Sequence, residues 1–130
     1  SINQHGIVAE VRAAFEQYKA APLRNDVDAL NDFFWCGNDT VRYDLAAPAV
    51  SLADLRRYRR VTPPVHAGRR LRNTVITTFG RDAASVCTEF VAPDTTLVGR
   101  QTQTWSRIDD AWRIVAAHVS TVAPQNLTRY

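Results

Sequence analysis

The sequence predicts an α+β domain in which N-terminal helices pack on one face of a bent, mostly antiparallel sheet. Three observations predict it. Apolar residues recur at helical spacing near the N-terminus. After Gly68 they occur in β-like runs, and the interruptions between those runs are too short for crossover connections. A chain of 130 residues, 45% hydrophobic and 22% charged, fits one domain spanning 1–130 with a single core.

The first helix is read from Ile7, Val8, Val11, Ala14, Phe15 and Tyr18, the spacing of one helical face. A second is capped by Asn25 or Asp26 and turns Val27, Leu30, Phe33 and Phe34 inward. A short strand, TVRYDL, follows. Ser51 and Asp54 form a capping box that starts a brief basic helix, LADLRRYRR, and the prolines and glycine of VTPPVHAG end it in a loop. Four runs then read as strands: RRLRNTVITTFG, AASVCTEFV, TLVGRQTQTWSRI and WRIVAAHVSTV. Turns at Arg81-Asp82, at Ala92-Pro-Asp94 and at Asp109-Asp-Ala111 separate them. Strict alternation puts Gln101, Gln103, Trp105 and Arg107 on one side of the third run. In the last run it sets Arg113, Val115, Ala117 and Val119 against Trp112, Ile114, Ala116 and His118. Neither side of that last run is strongly polar at its centre, which predicts helices on one face and a second copy on the other: a homodimer or higher homo-oligomer.

Composition excludes several classes. No apolar run is long enough to span a bilayer, and the N-terminus lacks the features of a signal peptide. The two cysteines, Cys36 and Cys87, are too few for a disulfide scaffold and read as reduced, buried thiols of a cytoplasmic protein. Net charge is +3, from 16 basic and 13 acidic residues. The bases concentrate between Leu55 and Arg81, where there is no acid, and such a block attracts anions. The RRYRR segment has only Tyr58 as an interleaved aromatic, which argues for a solvated face or an interface and against nucleic acid. His5, His66 and His118 show no ligand spacing, so no metal is expected. No phosphate loop or nucleophile elbow occurs. What remains is a pocket between helices and sheet with a few polar groups aimed into it.

Tyr18 continues the apolar stripe, so its ring faces the core. Its hydroxyl then either reaches the surface or acts as a proton donor in the pocket. Arg42 either faces solvent, as strand arginines usually do, or turns inward to fork onto a carboxylate. Gln101, Gln103 and Trp105 either line the same cavity or bond across strands. His118 reads as a structural histidine, and Glu89 as the ion-pair partner of a neighbouring arginine.

The stretch GRQTQTWSRIDDAWRIVAAHVS resembles the terminal hairpin of nuclear-transport-factor-2-like (NTF2-like, SnoaL-like) proteins. FFW…TVRYD together with RNTVITTFGRD and TEF…GRQTQTW is similar to a bacterial family of small proteins in oxalurate and cyanuric acid catabolism. The resemblance covers nearly the whole chain. It implies an NTF2-like cone and a decarboxylating amidohydrolase that converts 1,3-dicarboxyurea to allophanate. It implies a catalytic tyrosine on the first helix and an arginine on the strand after the second helix, which are Tyr18 and Arg42 here. Gln101, Gln103 and Trp105 would contact a small dicarboxylate, with no cofactor. The chain departs from the family at DLAAPAVSLAD, where Ala46, Ala47 and Pro48 stand in a loop that is commonly more polar. The alternative is a non-catalytic NTF2-like module assisting a pathway amidase through the segment 55–81.

Overall fold

A computed structural model of the chain describes residues 1–23, 31–36, 39–43, 48, 49, 53, 57 and 68–127. Helix α1 runs from His5 to Leu23. It buries Ile7, Val11, Phe15, Tyr18 and Ala21, while Arg12, Glu16 and Gln17 stay exposed. The i, i+4 stripe read in the sequence is the face that meets the sheet. Of the expected second helix, Asn31 and Asp32 are helical, whereas its cap and Val27 and Leu30 lie outside the described residues. Ala53 and Arg57 are helical and exposed, and the rest of the basic helix and the following loop also lie outside. Among the described residues, no helix is long and apolar enough to cross a membrane.

Among the described residues, six strands form one sheet: β1 (Val41–Tyr43), β2 (Pro48–Ala49), β3 (Arg70–Phe79), β4 (Ala83–Val91), β5 (Val98–Ile108) and β6 (Ala111–Val122). Their spatial order is β2-β1-β6-β5-β4-β3. All neighbours are antiparallel except β1 and β6, which run parallel, so the fold is α+β with a mostly antiparallel sheet. Two-residue connection of β5 to β6 requires positive φ at both turn positions. Asp109 (φ 51°) and Asp110 (φ 64°) supply it, in the manner of a type I′ hairpin. The edge of β3 is partly covered by the N-terminus. Asn3 donates its N–H to Thr78 O (3.1 Å) and accepts from Thr78 N at Oδ1 (2.9 Å), and Gly80 N donates to Ser1 O (2.9 Å).

Residues 33–36 and 39–43 lie along the other side of the sheet. Trp35 N donates to Ile114 O (2.9 Å) and Ile114 N to Phe33 O (2.6 Å), before β1 pairs with Ala116, Ala117 and His118 further along β6. Thr40 Oγ1 donates to Trp35 O at 2.6 Å and ties these two segments together. The residues Pro48 and Ala49, expected to lie in a loop, instead form the edge strand β2. Proline is tolerated there because an edge leaves one side without a ladder partner.

Strict alternation fails at two bulges. In β6 the register passes from Thr104–Ala116 to Trp105–Ile114, leaving Val115 as an extra residue. Trp112 and Ile114 before the bulge therefore share the buried face with Ala117 and Val119 after it, and the expected opposition of these two pairs is wrong. In β3, Asn73 and Thr74 together oppose Thr88, with Asn73 at φ 54°, a conformation that asparagine tolerates better than most residues. Bulges bend the strands that carry them, and here they curl the sheet around α1. Cys36 and Cys87, expected to be buried, are exposed free thiols: Cys87 points to the outer face of β4, away from the helix. The core on the inner face holds Val11, Phe15, Phe34, Val86, Trp105 and Ile114, each at most 2% exposed.

Candidate functional site

Register decides which side chains meet. Directly opposed residues share a face, and one such row crosses the sheet as Ile76, Val86, Gln103, Ala117 and Arg42. The first four are at most 7% exposed, so the row lies on the inner face, and Arg42 is half-buried at its end. Tyr43, the next residue, is 52% exposed on the outer face and meets His118 edge-on at 6.0 Å. Arg42 thus points toward the helix side, and His118 lies on the opposite surface of the sheet. Ala117, with only a methyl group, stands between Arg42 and Gln103 in the row. Two strand spacings, roughly 10 Å, divide their backbones.

Gln103 is fully buried, and its Oε1 accepts the Trp105 indole N–H at 2.9 Å. Indole nitrogen can only donate, so this bond fixes which end of the amide is oxygen. The Nε2 end is then turned away from Trp105, and among the described residues it meets no acceptor. A buried donor left in this state costs about 1–3 kcal/mol. Tyr18 stacks edge-on against Trp105 at 6.0 Å and lies 5.9 Å from Phe33, 6.3 Å from Phe34 and 6.2 Å from Phe15. This cage holds the phenol ring in one place beside the Trp105–Gln103 pair.

One row further along the same face lies Gln101, 5% exposed, between Val119 and Thr88. Its Oε1 accepts from Arg69 Nη2 at 3.5 Å, a long and weak bond, and Arg69 stacks over the Phe90 ring at 4.3 Å. The structure therefore brings Tyr18, Trp105 and Gln103 together, sets Arg42 on the same face, and places Gln101 in the adjacent row. Arg69 was not singled out by sequence reasoning, being one arginine in a basic block. Its signal is Gly99, a glycine inside a strand: a Cβ there would lie 2.1 Å from the Phe90 ring, so the glycine admits Phe90 beneath Arg69.

The other charged clusters are structural. Arg107 donates to Glu10 (2.6 Å), Asp82 (3.2 Å) and Arg81 O (2.9 Å), and stacks over Trp112 at 4.8 Å. The hydrogen bond from Arg107, with its positive charge, holds the exposed Glu10 carboxyl below the usual carboxylate value. Trp112 adds a smaller lowering, although its N–H meets no acceptor in good geometry among the described residues. Glu89 pairs with Arg72 at 3.0 Å, as read from the sequence. A cavity of about 400 Å³ opens at the β5–β6 turn beside Asp32, Trp35, Cys36, Asp109 and Arg113. It contains none of the sequence-singled site residues, and Arg113 Nη1 there is bonded to Asp32 O at 2.6 Å. Among the described residues, no group of three histidine, cysteine or acidic side chains is arranged to hold a metal.

A helix cradled by a curled, mostly antiparallel sheet with polar residues on its inner face defines the NTF2-like class. An NTF2-like protein from Pseudomonas putida superimposes on 90% of this chain and 87% of its own with TM-score 0.72, at 16% identity. Residues 1–125 match the AtzH-like family, and the chain belongs to it. A cystatin-like fold protein from Burkholderia xenovorans is 47% identical, with TM-score 0.92 over 95% of this chain and 97% of that one. A protein of unknown function from Pectobacterium atrosepticum is 43% identical, with TM-score 0.90 over 94% and 95%. No curated protein matches the chain.

Proposed function

We propose that this chain is a cofactor-independent enzyme that removes a terminal carboxylate from an N-carboxylated urea, converting 1,3-dicarboxyurea to allophanate in cyanuric acid breakdown. The observation that carries the reading is the buried Gln103 Nε2, a donor without an acceptor among the described residues, on the same face as Arg42. A ligand built from carboxylates and a urea carbonyl presents oxygen acceptors to the amide donor and to the guanidinium alike. Membership of the AtzH-like family is consistent with this reading.

In the reaction the bond between nitrogen and the carboxyl carbon breaks, CO2 leaves, and the nitrogen takes up one proton. Arg42 binds a substrate carboxylate through paired N–H groups. Tyr18, fixed by its aromatic cage, delivers the proton to the departing nitrogen. On the alternative route it orients a water that attacks the carboxyl carbon, the carboxyl leaves as bicarbonate in place of CO2, and the nitrogen takes the proton the water gives up. An aromatic surrounding also excludes bulk water, which strengthens the attraction between Arg42 and the anion. The substrate is a small dianion, and Gln103, with Gln101 and Trp105 behind it, orients the urea.

The test is purified protein mixed with freshly generated 1,3-dicarboxyurea, with allophanate followed by mass spectrometry beside a Tyr18→Phe control. Turnover by wild type and its loss in a folded Tyr18→Phe variant is the expected result. A folded wild type that turns nothing over would leave a binding module in place of an enzyme.

A further inference from the structure

We infer that Trp105 is a positioning residue: its indole N–H locks the Gln103 amide with the nitrogen turned away from the ring, so that this point of the inner face takes an oxygen acceptor and rejects an amine. The inference rests on the reading of Gln103 Nε2 as a ligand contact, and it names what makes that contact selective.

Residues 103 and 105 are two apart on β5 and share its inner face, so the indole lies beside the amide along the strand. The Val115 bulge gives both of them buried partners on β6, Ala117 opposite Gln103 and Ile114 opposite Trp105. The fully buried indole is held from several directions. Tyr18 of α1 meets it edge-on at 6.0 Å, Phe33 lies 6.4 Å away, and Ala84 and Ile114 oppose it on the flanking strands.

An amide side chain has two ends of similar shape and opposite hydrogen-bonding sense, and its neighbours decide which end points where. Across the strands Gln103 is flanked by Val86 and Ala117, whose side chains neither donate nor accept. Among the described residues, its one side-chain partner is Trp105. A flipped amide would set Nε2 against the indole N–H, two donors face to face, and leave both unpaired in the core. The nitrogen is thereby held as the end available to a ligand, fully buried and without an acceptor. A carboxylate or carbonyl oxygen satisfies it. An ammonium meets another donor, and pairing it with Gln103 requires the amide to flip and the indole bond to break.

Two measurements on the full chain test this, with folding checked by thermal melting. Heteronuclear NMR of the nitrogen-labelled wild type follows the Gln103 side-chain amide and the Trp105 indole N–H. Adding malonate is expected to move the amide signals more than the indole signal. The reverse order, or no movement of either, would overturn the inference. Calorimetric titration then compares malonate with 3-aminopropanoate, which carries an ammonium in place of the second carboxylate. Wild type is expected to favour malonate. Trp105→Phe, which keeps an aromatic ring and removes the N–H, is expected to narrow that preference about fivefold or more. Repulsion of the ammonium by nearby cations is common to both proteins and cancels in this ratio. An unchanged preference in the folded variant would overturn the inference, and should Trp105→Phe fail to fold, the wild-type spectra decide. Turnover of 1,3-dicarboxyurea by wild type beside an unchanged preference in Trp105→Phe would strike this inference alone. Amide shifts and a narrowed preference without turnover would end the enzymatic reading and keep this one.

Discussion

Gln103 meets two demands with one side chain: its oxygen anchors the Trp105 indole, and its nitrogen is left for something the described residues do not provide. Glutamate at this position separates the two. Gln103→Glu keeps an oxygen for Trp105 and replaces the amide donor with a second acceptor carrying negative charge beside Arg42. Malonate affinity at neutral pH is expected to fall at least tenfold, the factor given by about 1.4 kcal/mol, as measured by titration calorimetry. Unchanged affinity would show that the ligand does not touch Nε2. Arg42→Lys probes the other end of the row. Lysine keeps the charge but presents no planar pair of donors, so kcat/KM for 1,3-dicarboxyurea is expected to drop at least tenfold. Normal kinetics with lysine would remove bidentate recognition from the mechanism. Both residues were legible in the sequence as candidates, because alternation holds from Gln101 through Trp105 and Arg42 sits at the centre of a short strand. Its inward direction was not legible. It depends on parallel pairing with Ala117, a contact between residues 75 positions apart that local pattern cannot encode.

At the scale of elements, the helix and hairpins were legible for local reasons and the irregular parts were not. The stripe from Ile7 to Tyr18 is a property of one segment, and paired aspartates at 109 and 110 mark a turn wherever they fall between β-like runs. The bulge at Val115 has no such signature, since nothing in IVAAHV distinguishes an extra residue from a paired one. Only the register against β5 reveals it. Strand β2 was missed for the same reason: Pro48 and Ala49 become a strand by pairing with β1, not by their own preference. Arg69 is legible only after folding, when Phe90 and Gly99 come beneath it. The hairpin turn yields a prediction of its own. Asp110 holds φ at 64°, where an L side chain is strained and glycine is not. Asp110→Gly, the preferred second residue of a type I′ turn, is expected to stabilise the protein by about 0.5–1 kcal/mol in urea unfolding. Destabilisation instead would mean that the Asp110 carboxylate supports the turn by more than its backbone strain.

At the scale of the whole molecule, one surface supports the fold and another bears on self-association. Arg107 joins α1 to the β3–β4 turn through Glu10 and Asp82. Because the Glu10 carboxyl is depressed in the folded state, its contribution is present above the ordinary value of 4.5 and is lost as pH falls through the folded value. Melting temperatures of wild type and Glu10→Gln are therefore expected to differ at neutral pH and to converge below pH 4.5; a constant gap would mean that the bridge contributes nothing. The outer face of the sheet concerns assembly. Two adjacent rows there, Val75–Cys87–Thr102–His118–Tyr43 and Thr77–Ser85–Thr104–Ala116–Val41, contain no acidic residue, lysine or arginine. Val75 and Tyr43 are 59% and 52% exposed. One face of an antiparallel sheet left to water ordinarily carries charge, as the neighbouring row Arg72–Glu89–Arg100 does. The bulge at Val115 removes the original argument for a dimer from alternation in β6, but this uncharged field replaces it with a stronger one. A second copy laid on the same rows brings apolar and hydroxyl side chains together with no buried charge to desolvate. Sedimentation is expected to give a dimer for wild type. Thr104→Lys is exposed in the isolated chain and so leaves folding intact, but it buries one charge from each copy at such an interface and should yield monomers with unchanged circular dichroism. A wild-type monomer would leave the outer face to solvent, and a dimer unaffected by Thr104→Lys would move the interface to another surface.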